Sequence, residues 1–212
     1  MAPTNFATIE RSTLCDLFLE VGPDAPTLCE GWTTRDLAAH LVVREHRPDA
    51  ALGIIASPIA AHGEKIRRKM AERPWEDLVA TVRNGPPWWS PTRLASLDRL
   101  TNTNEFFIHH EDVRRAVDGW EPRVLDDDLT AQLGLMLSRM SKLMMRKAPT
   151  GVTIRVGSGD PIVARKAEPS VEISGDAGEL MLFGNGRQAH ARVELDGPAD
   201  AVAALSAAQL GV

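Results

Sequence analysis

The sequence predicts an α+β protein in two parts: a helical bundle over residues 1–148 and a small α+β domain over residues 149–212. Two observations carry this. Up to Lys147 the apolar residues recur at the 3.6-residue spacing of amphipathic helices. Beyond Ala148-Pro149-Thr150-Gly151, short stretches alternate apolar and polar residues as half-buried strands do. The length agrees: a chain of 212 residues buries about 70% of its unfolded surface, enough to fold without covalent staples.

The expected elements follow in chain order. Phe6, Ile9, Leu14, Leu17, Phe18 and Val21 mark a helix over 5–21, stopped by Gly22-Pro23. Thr33, with Asp36 three residues on, resembles a capping box that starts a helix carrying Leu37, His40, Leu41 and Arg44 and ending near Arg47-Pro48. Residues 49–72 read as mostly helical with a kink or break at Pro58, and Trp75 to Arg83 as a further helix. NGPPWWSP, from Asn84 to Pro91, reads as a loop whose Trp88 and Trp89 either line a pocket or pack in a buried hinge. Residues 96–118 form a helix ended by Gly119. Asp126 to Lys147 forms another, with Leu129, Leu133, Met136, Leu137, Met140, Leu143 and Met144 on one side as adaptable core. VTIRVG, IVARKA, SVEIS and ARVELDG are the strands, with GSGDP as the hairpin turn after the first. DAGELMLFG is a short helix ending at Gly184, and PADAVAALSAAQ a helix opened by Pro198.

Composition narrows the class. Apolar residues make up 43% and charged residues 25%, and the net charge is −5, which argues against a nucleic-acid partner. KIRRKMAER, Lys65 to Arg73, is broken by apolar residues and reads as a solvated helix face. The two cysteines, Cys15 and Cys29, suggest reduced thiols rather than a disulfide frame. Cys15 falls in an apolar helical pattern and is expected to be buried; Cys29, beside Glu30 in a loop, is a poor nucleophile because an adjacent anion raises a thiol pKa. MAPTNFATIERS lacks the basic start and apolar stretch of a signal peptide, and no run reaches the ~18 apolar residues of a membrane span. A soluble cytoplasmic protein acting on a small molecule is expected, and its acidic bundle allows a homodimer.

The chemistry concentrates in EFFIHHEDVRR, residues 105 to 115. On a helix, Glu105 and His109 project from one face a turn apart, and Asn102, Glu105, His109 and Asp112 form one stripe. His110 points about 100° away, outside the ligand shell, in a second shell or on the surface. A third ligand must come from another helix, and His40 is the candidate, with Asp36 one turn earlier to orient it. Two imidazoles and a carboxylate suit zinc or another divalent transition metal. Spacing alone leaves two readings open: this metal site, or a crowded polar helix face with a core histidine. His46, His62 and His190 are expected at the surface, and Trp32 as a staple at the helix entry. HExxH is absent, so a zincin-type protease is not supported.

CEGWTTRDLAAHLVVRE resembles the GW-x-x-x-D-x-x-x-H-L segment of the mycothiol-dependent maleylpyruvate isomerase family, and NEFFIHHEDVRRA its second metal segment, Glu-x-x-x-His followed by an acid. GDAGELMLFGNGRQAHARVELDGPADAV is similar to the Gly-Arg segment of that family's C-terminal domain. GPDAPTLCEGWTTRDLAAHL further resembles the signature of an actinobacterial metal-binding subgroup. The resemblance implies a DinB-like four-helix bundle followed by a small sterol-carrier-like domain. It also implies zinc on His40, Glu105 and His109, with mycothiol as the cosubstrate thiol and a transferase or isomerase reaction on a small electrophile. Arg187 falls on the family's Gly-Arg arginine; it or Arg44, one turn after His40, is positioned to hold an anionic substrate group. Gly184 and Asn185 depart from the family's bulky apolar residues, which leaves Arg187 open between anion recognition and an exposed turn. Two other readings of the chain are a non-enzymatic module that binds a small ligand or a partner around a structural metal, and a metal-water hydrolase.

Overall fold

The structure, a computed structural model, describes residues 4–47, 60–90 and 93–211. Helix α1 spans Phe6–Val21 and ends where the Gly22 N–H bonds back to the Phe18 carbonyl at 3.0 Å. Gly22 sits at φ +81°, a left-handed conformation that other residues adopt with strain. Helix α2, Thr34–His46, starts at the expected capping box: the Thr33 backbone N–H donates to Asp36 Oδ2 at 3.1 Å. Helices α3 (Ala60–Ala71), α4 (Trp75–Asn84) and α5 (Ala95–Arg114) follow. The expected break at Pro58 lies outside the described residues.

These helices belong to the first of two compact units, Met1–Trp120 and Glu121–Val212. Within it α1 packs on α5 and α4, and α2 on α3 and α4. Leu14, Phe18, Leu37, Leu41, Leu78, Val82 and Phe106 form its apolar core. The α1 face is not purely apolar. Arg11 enters it, stacks over the Phe106 ring at 4.1 Å and grips Glu45 of α2 through two hydrogen bonds of 2.6 and 2.7 Å. It also reaches Asp98 of α5 at 3.2 Å. Beside it, Glu10 bonds His110 Nδ1 at 3.0 Å. His110 is therefore a buried structural histidine that ties α5 to α1. The surface and second-shell placements expected for it do not hold, because α1 covers that face of α5.

The second unit begins with helix α6, Asp127–Met144, capped by Asp126, whose side chain accepts from the Asp128 N–H at 2.9 Å. Four strands follow: β1 (Gly151–Val156), β2 (Ile162–Arg165), β3 (Ser170–Gly175) and β4 (Glu194–Asp196), in the order β2-β1-β3-β4. β1 pairs antiparallel with β2, through the expected hairpin, and parallel with β3; β4 pairs antiparallel with β3. At Gly151 the β1 strand passes so close to the Ala167 carbonyl that a Cβ would overlap it. Helix α7, Ala177–Gly184, is buried along its whole length, and helix α8 covers Ala199–Ser206.

An α+β architecture is thus present, but the compact units divide after Trp120 rather than near residue 149. The change from helical to alternating pattern marks a change of secondary structure, whereas α6 packs on α7 and β2. Leu129, Leu133, Met136, Leu137 and Met144 form its buried side; Leu143, expected with them, is 42% exposed. Trp88 and Trp89 are exposed, at 84% and 50%, so neither packs in a buried hinge. No helix among the described residues is long and apolar enough to cross a membrane.

Candidate metal centre

The expected pair on α5 and the expected histidine on α2 meet. Glu105 Oε1 lies 3.3 Å from His40 Nε2 and 3.3 Å from His109 Nε2. The three donor atoms all fall within 4.8 Å of one another. Zinc bonds of ~2.0–2.1 Å in tetrahedral geometry set ligand atoms about 3.3 Å apart. The donor set therefore fits a zinc-sized divalent ion in both spacing and chemistry.

Each ring is held from behind. His109 Nδ1 is 2.8 Å from Asp112 Oδ2, the carboxylate–histidine pairing that fixes a ligand's ring orientation. Trp32 packs on His40 with ring centroids 5.2 Å apart, and Arg67 of α3 lies over the Trp32 indole at 4.8 Å. Trp32 thus does more than staple the entry to α2.

The electrostatics follow from burial set against these partners. Burial alone would raise the Glu105 carboxyl, but hydrogen bonds from His109 and His40 outweigh it and hold the group well below the usual carboxylate range. Burial works against charge on His109, yet Asp112, Cys29 and Glu105 together push its pKa well above the ordinary imidazole value. Burial lowers that of His40.

Other expected site residues take different places. Asp36 is bonded to Thr33 in the cap and to Arg67 of α3 rather than to His40. Asn102 bonds Arg44, Asp98 and Glu45 rather than a candidate ligand. Arg44 lies against the centre itself, its Nε 3.2 Å from Glu105 Oε1 and its Nη2 donating to the Thr101 carbonyl. Arg187 belongs to the second unit, where its Nη1 donates to the Asn185 carbonyl at 2.6 Å. Arg67, read in the sequence as part of a solvated face, is 8% exposed and paired with Asp36 and Glu64.

Cys29, read in the sequence only as a loop thiol and a poor nucleophile, lies beside the centre. Its Sγ lies 3.2 Å from Asp112 Oδ2 and 3.9 Å from His109 Nδ1. The only sequence signal was its place just before GW in the segment that leads to His40.

No family model and no curated protein matches the sequence. Among solved structures, the chain is similar to the crystal structure of the mycothiol-dependent maleylpyruvate isomerase, with a TM-score of 0.59 over 90% of this chain and 88% of that one, at 15% identity. A histidine-to-alanine mutant of that isomerase aligns over the same shares with a TM-score of 0.60 at 14% identity. The chain therefore has the fold of the mycothiol-dependent maleylpyruvate isomerase.

Proposed function

We propose that the chain is a zinc protein of the cytoplasm that uses a small thiol, mycothiol, to transfer or isomerise a small electrophilic substrate. The observation that carries this reading is the convergence of His40, Glu105 and His109, whose donor atoms fall within 4.8 Å of one another. Three protein ligands leave coordination positions for an exogenous group, as in catalytic rather than structural zinc sites. A divalent ion held there would supply the charge that keeps a thiol deprotonated at neutral pH. The fold neighbour's dependence on mycothiol supports the choice of thiol, and mycothiol use implies an actinobacterial source.

The chain's own residues orient and balance. Asp112 accepts the His109 Nδ1 proton and presents Nε2 to the centre. Trp32 sets the His40 ring. Asn102 and the Thr101 carbonyl aim Arg44, whose guanidinium is suited to hold a substrate carboxylate in two hydrogen bonds. Arg187 is a second candidate for that task. In this reading the first unit corresponds to a DinB-like four-helix bundle and the second to a sterol-carrier-like domain.

The test is metal analysis of untagged protein purified without chelator, beside His109→Ala. Near-stoichiometric zinc in the wild type, lost in the variant, is the expected result. Absence of metal from both, even after zinc is added back, overturns the centre. Zinc-loaded protein that shows no heat of binding with mycothiol overturns the choice of thiol.

A further inference from the structure

We propose that Cys29, Asp112 and His109 Nδ1 form a second divalent-cation site, suited to a thiophilic ion such as zinc, cobalt or cadmium, which shares the His109 ring with the first centre. The inference rests on the proposed first centre only through that shared ring. Cys29 Sγ, Asp112 Oδ2 and His109 Nδ1 are separated by 3.2, 2.8 and 3.9 Å. A tetrahedral ion with bonds of ~2.3 Å to sulfur and ~2.0 Å to nitrogen and oxygen sets its ligands about 3.3–3.6 Å apart. Shifts of a few tenths of an ångström convert the one arrangement into the other.

The cluster is built rather than incidental. Cys29 stands in a short loop whose backbone is fixed on both sides. The Leu28 N–H donates to the Asp112 carbonyl at 3.0 Å, which ties the loop to α5 one residue before the thiol. The Cys29 N–H donates to Thr27 Oγ1 at 3.2 Å, the Thr27 hydroxyl donates to the Trp32 carbonyl at 2.9 Å, and Pro26 bridges Thr33. The loop therefore delivers sulfur to a set position. Asp112 is fully buried, and a single oxygen, Oδ2, meets both the thiol and the ring. A dication between these three atoms would satisfy the buried carboxylate in place of its two hydrogen-bond contacts.

Binding exchanges protons for metal bonds without any redox change. The Cys29 thiol proton and the His109 Nδ1 proton leave to solvent, and bonds form from the ion to sulfur, nitrogen and oxygen. With both ring nitrogens engaged, His109 bridges the two ions as an imidazolate. The thiolate, Asp112, Glu105 and the imidazolate then carry four negative charges against two dications. A thiolate–imidazole–carboxylate set favours zinc, cobalt and cadmium over magnesium and calcium.

The experiment titrates metal-free, full-length protein with cobalt(II), following near-ultraviolet sulfur-to-cobalt charge-transfer absorption together with bound cobalt. The expected wild-type result is two equivalents with the sulfur band. Cys29→Ser should abolish the band and leave one equivalent, and His40→Ala should retain the band. No band at any loading in either the wild type or His40→Ala overturns the site, as does a band that survives Cys29→Ser. The one equivalent in Cys29→Ser reports the first centre by itself, so the two proposals fail separately. If Cys29→Ser loses its helical circular dichroism, cadmium NMR of the wild type decides. A resonance shifted downfield by sulfur ligation supports the site, and nitrogen and oxygen ligation alone overturns it.

Discussion

Glu105 Oε1 is met by three nitrogens, from His40, His109 and Arg44, at 3.3, 3.3 and 3.2 Å. These contacts hold the Glu105 carboxylate in its charged form at a fixed position despite its burial. Asp112 supports the arrangement from behind His109, and Asp112→Asn, measured in a Cys29→Ser background, should lower zinc affinity about 10–100-fold with the ligands intact. Unchanged affinity by competition with a chelating dye would remove Asp112 from the centre. Asp36 has a different task. Burial would raise its pKa, but Arg67 and Thr33 outweigh burial and lower it, so its stabilisation is present above the unfolded carboxyl value and lost as pH falls through the folded one. Asp36→Asn should cost about 1–2 kcal/mol at pH 7 from the lost cap and ion pair, and the deficit should close below about pH 4. A deficit independent of pH in urea unfolding would contradict this. Cys15 is wholly buried and its pKa is pushed up to about 12 by desolvation, so it should react with a thiol reagent at pH 8 only when the protein unfolds.

Among the elements, α1, α2 and α5 share a buried polar cluster that no periodicity argument anticipates. Arg11, Glu45, Asp98 and Asn102 sit in one cluster where an amphipathic helix pattern expects only apolar side chains. A bidentate guanidinium–carboxylate pair in this setting fixes which faces of the three helices meet, since any rotation strands a buried charge. Arg11→Ala should therefore destabilise the protein by about 3–5 kcal/mol, far more than truncating an exposed residue such as Ile9. Chemical denaturation of the two variants separates these outcomes, and equal losses would show the cluster to be dispensable. The same cluster reaches the candidate centre, because Asn102 bonds both Glu45 and Arg44. Arg11→Ala is accordingly expected to weaken metal retention as well.

At the scale of the molecule, the division after Trp120 makes α6 part of the second unit. Leu129, Leu133, Leu137 and Met144 are buried there, each worth roughly 1.5–3 kcal/mol of transfer free energy. Together they are comparable to the whole ~5–15 kcal/mol margin of a small domain, and chain entropy leaves no reserve to offset their loss. A fragment of residues 121–212 should fold, with dispersed amide NMR resonances, whereas residues 149–212, which lack α6 and leave α7 uncovered, should not. Equal dispersion in the two fragments would return the boundary to the change in sequence texture.

The sequence by itself determined what depends on neighbours along the chain. The cap at Thr33 and Asp36, the stop at Gly22, the hairpin turn and the Glu105–His109 spacing are local, because backbone geometry sets which residues share a helix face or a turn. His40 was also legible as a partner for that pair, since a histidine on an otherwise apolar helix face needs a polar neighbour. What lies across helices was decided only by tertiary packing: His110 against Glu10, Asp36 turned to Arg67, Asn102 drawn into the Arg11 cluster, and Cys29 brought to Asp112. These contacts join residues 31 to 100 positions apart. Their energy comes from excluding water around paired charges, a condition that exists only once the helices have closed.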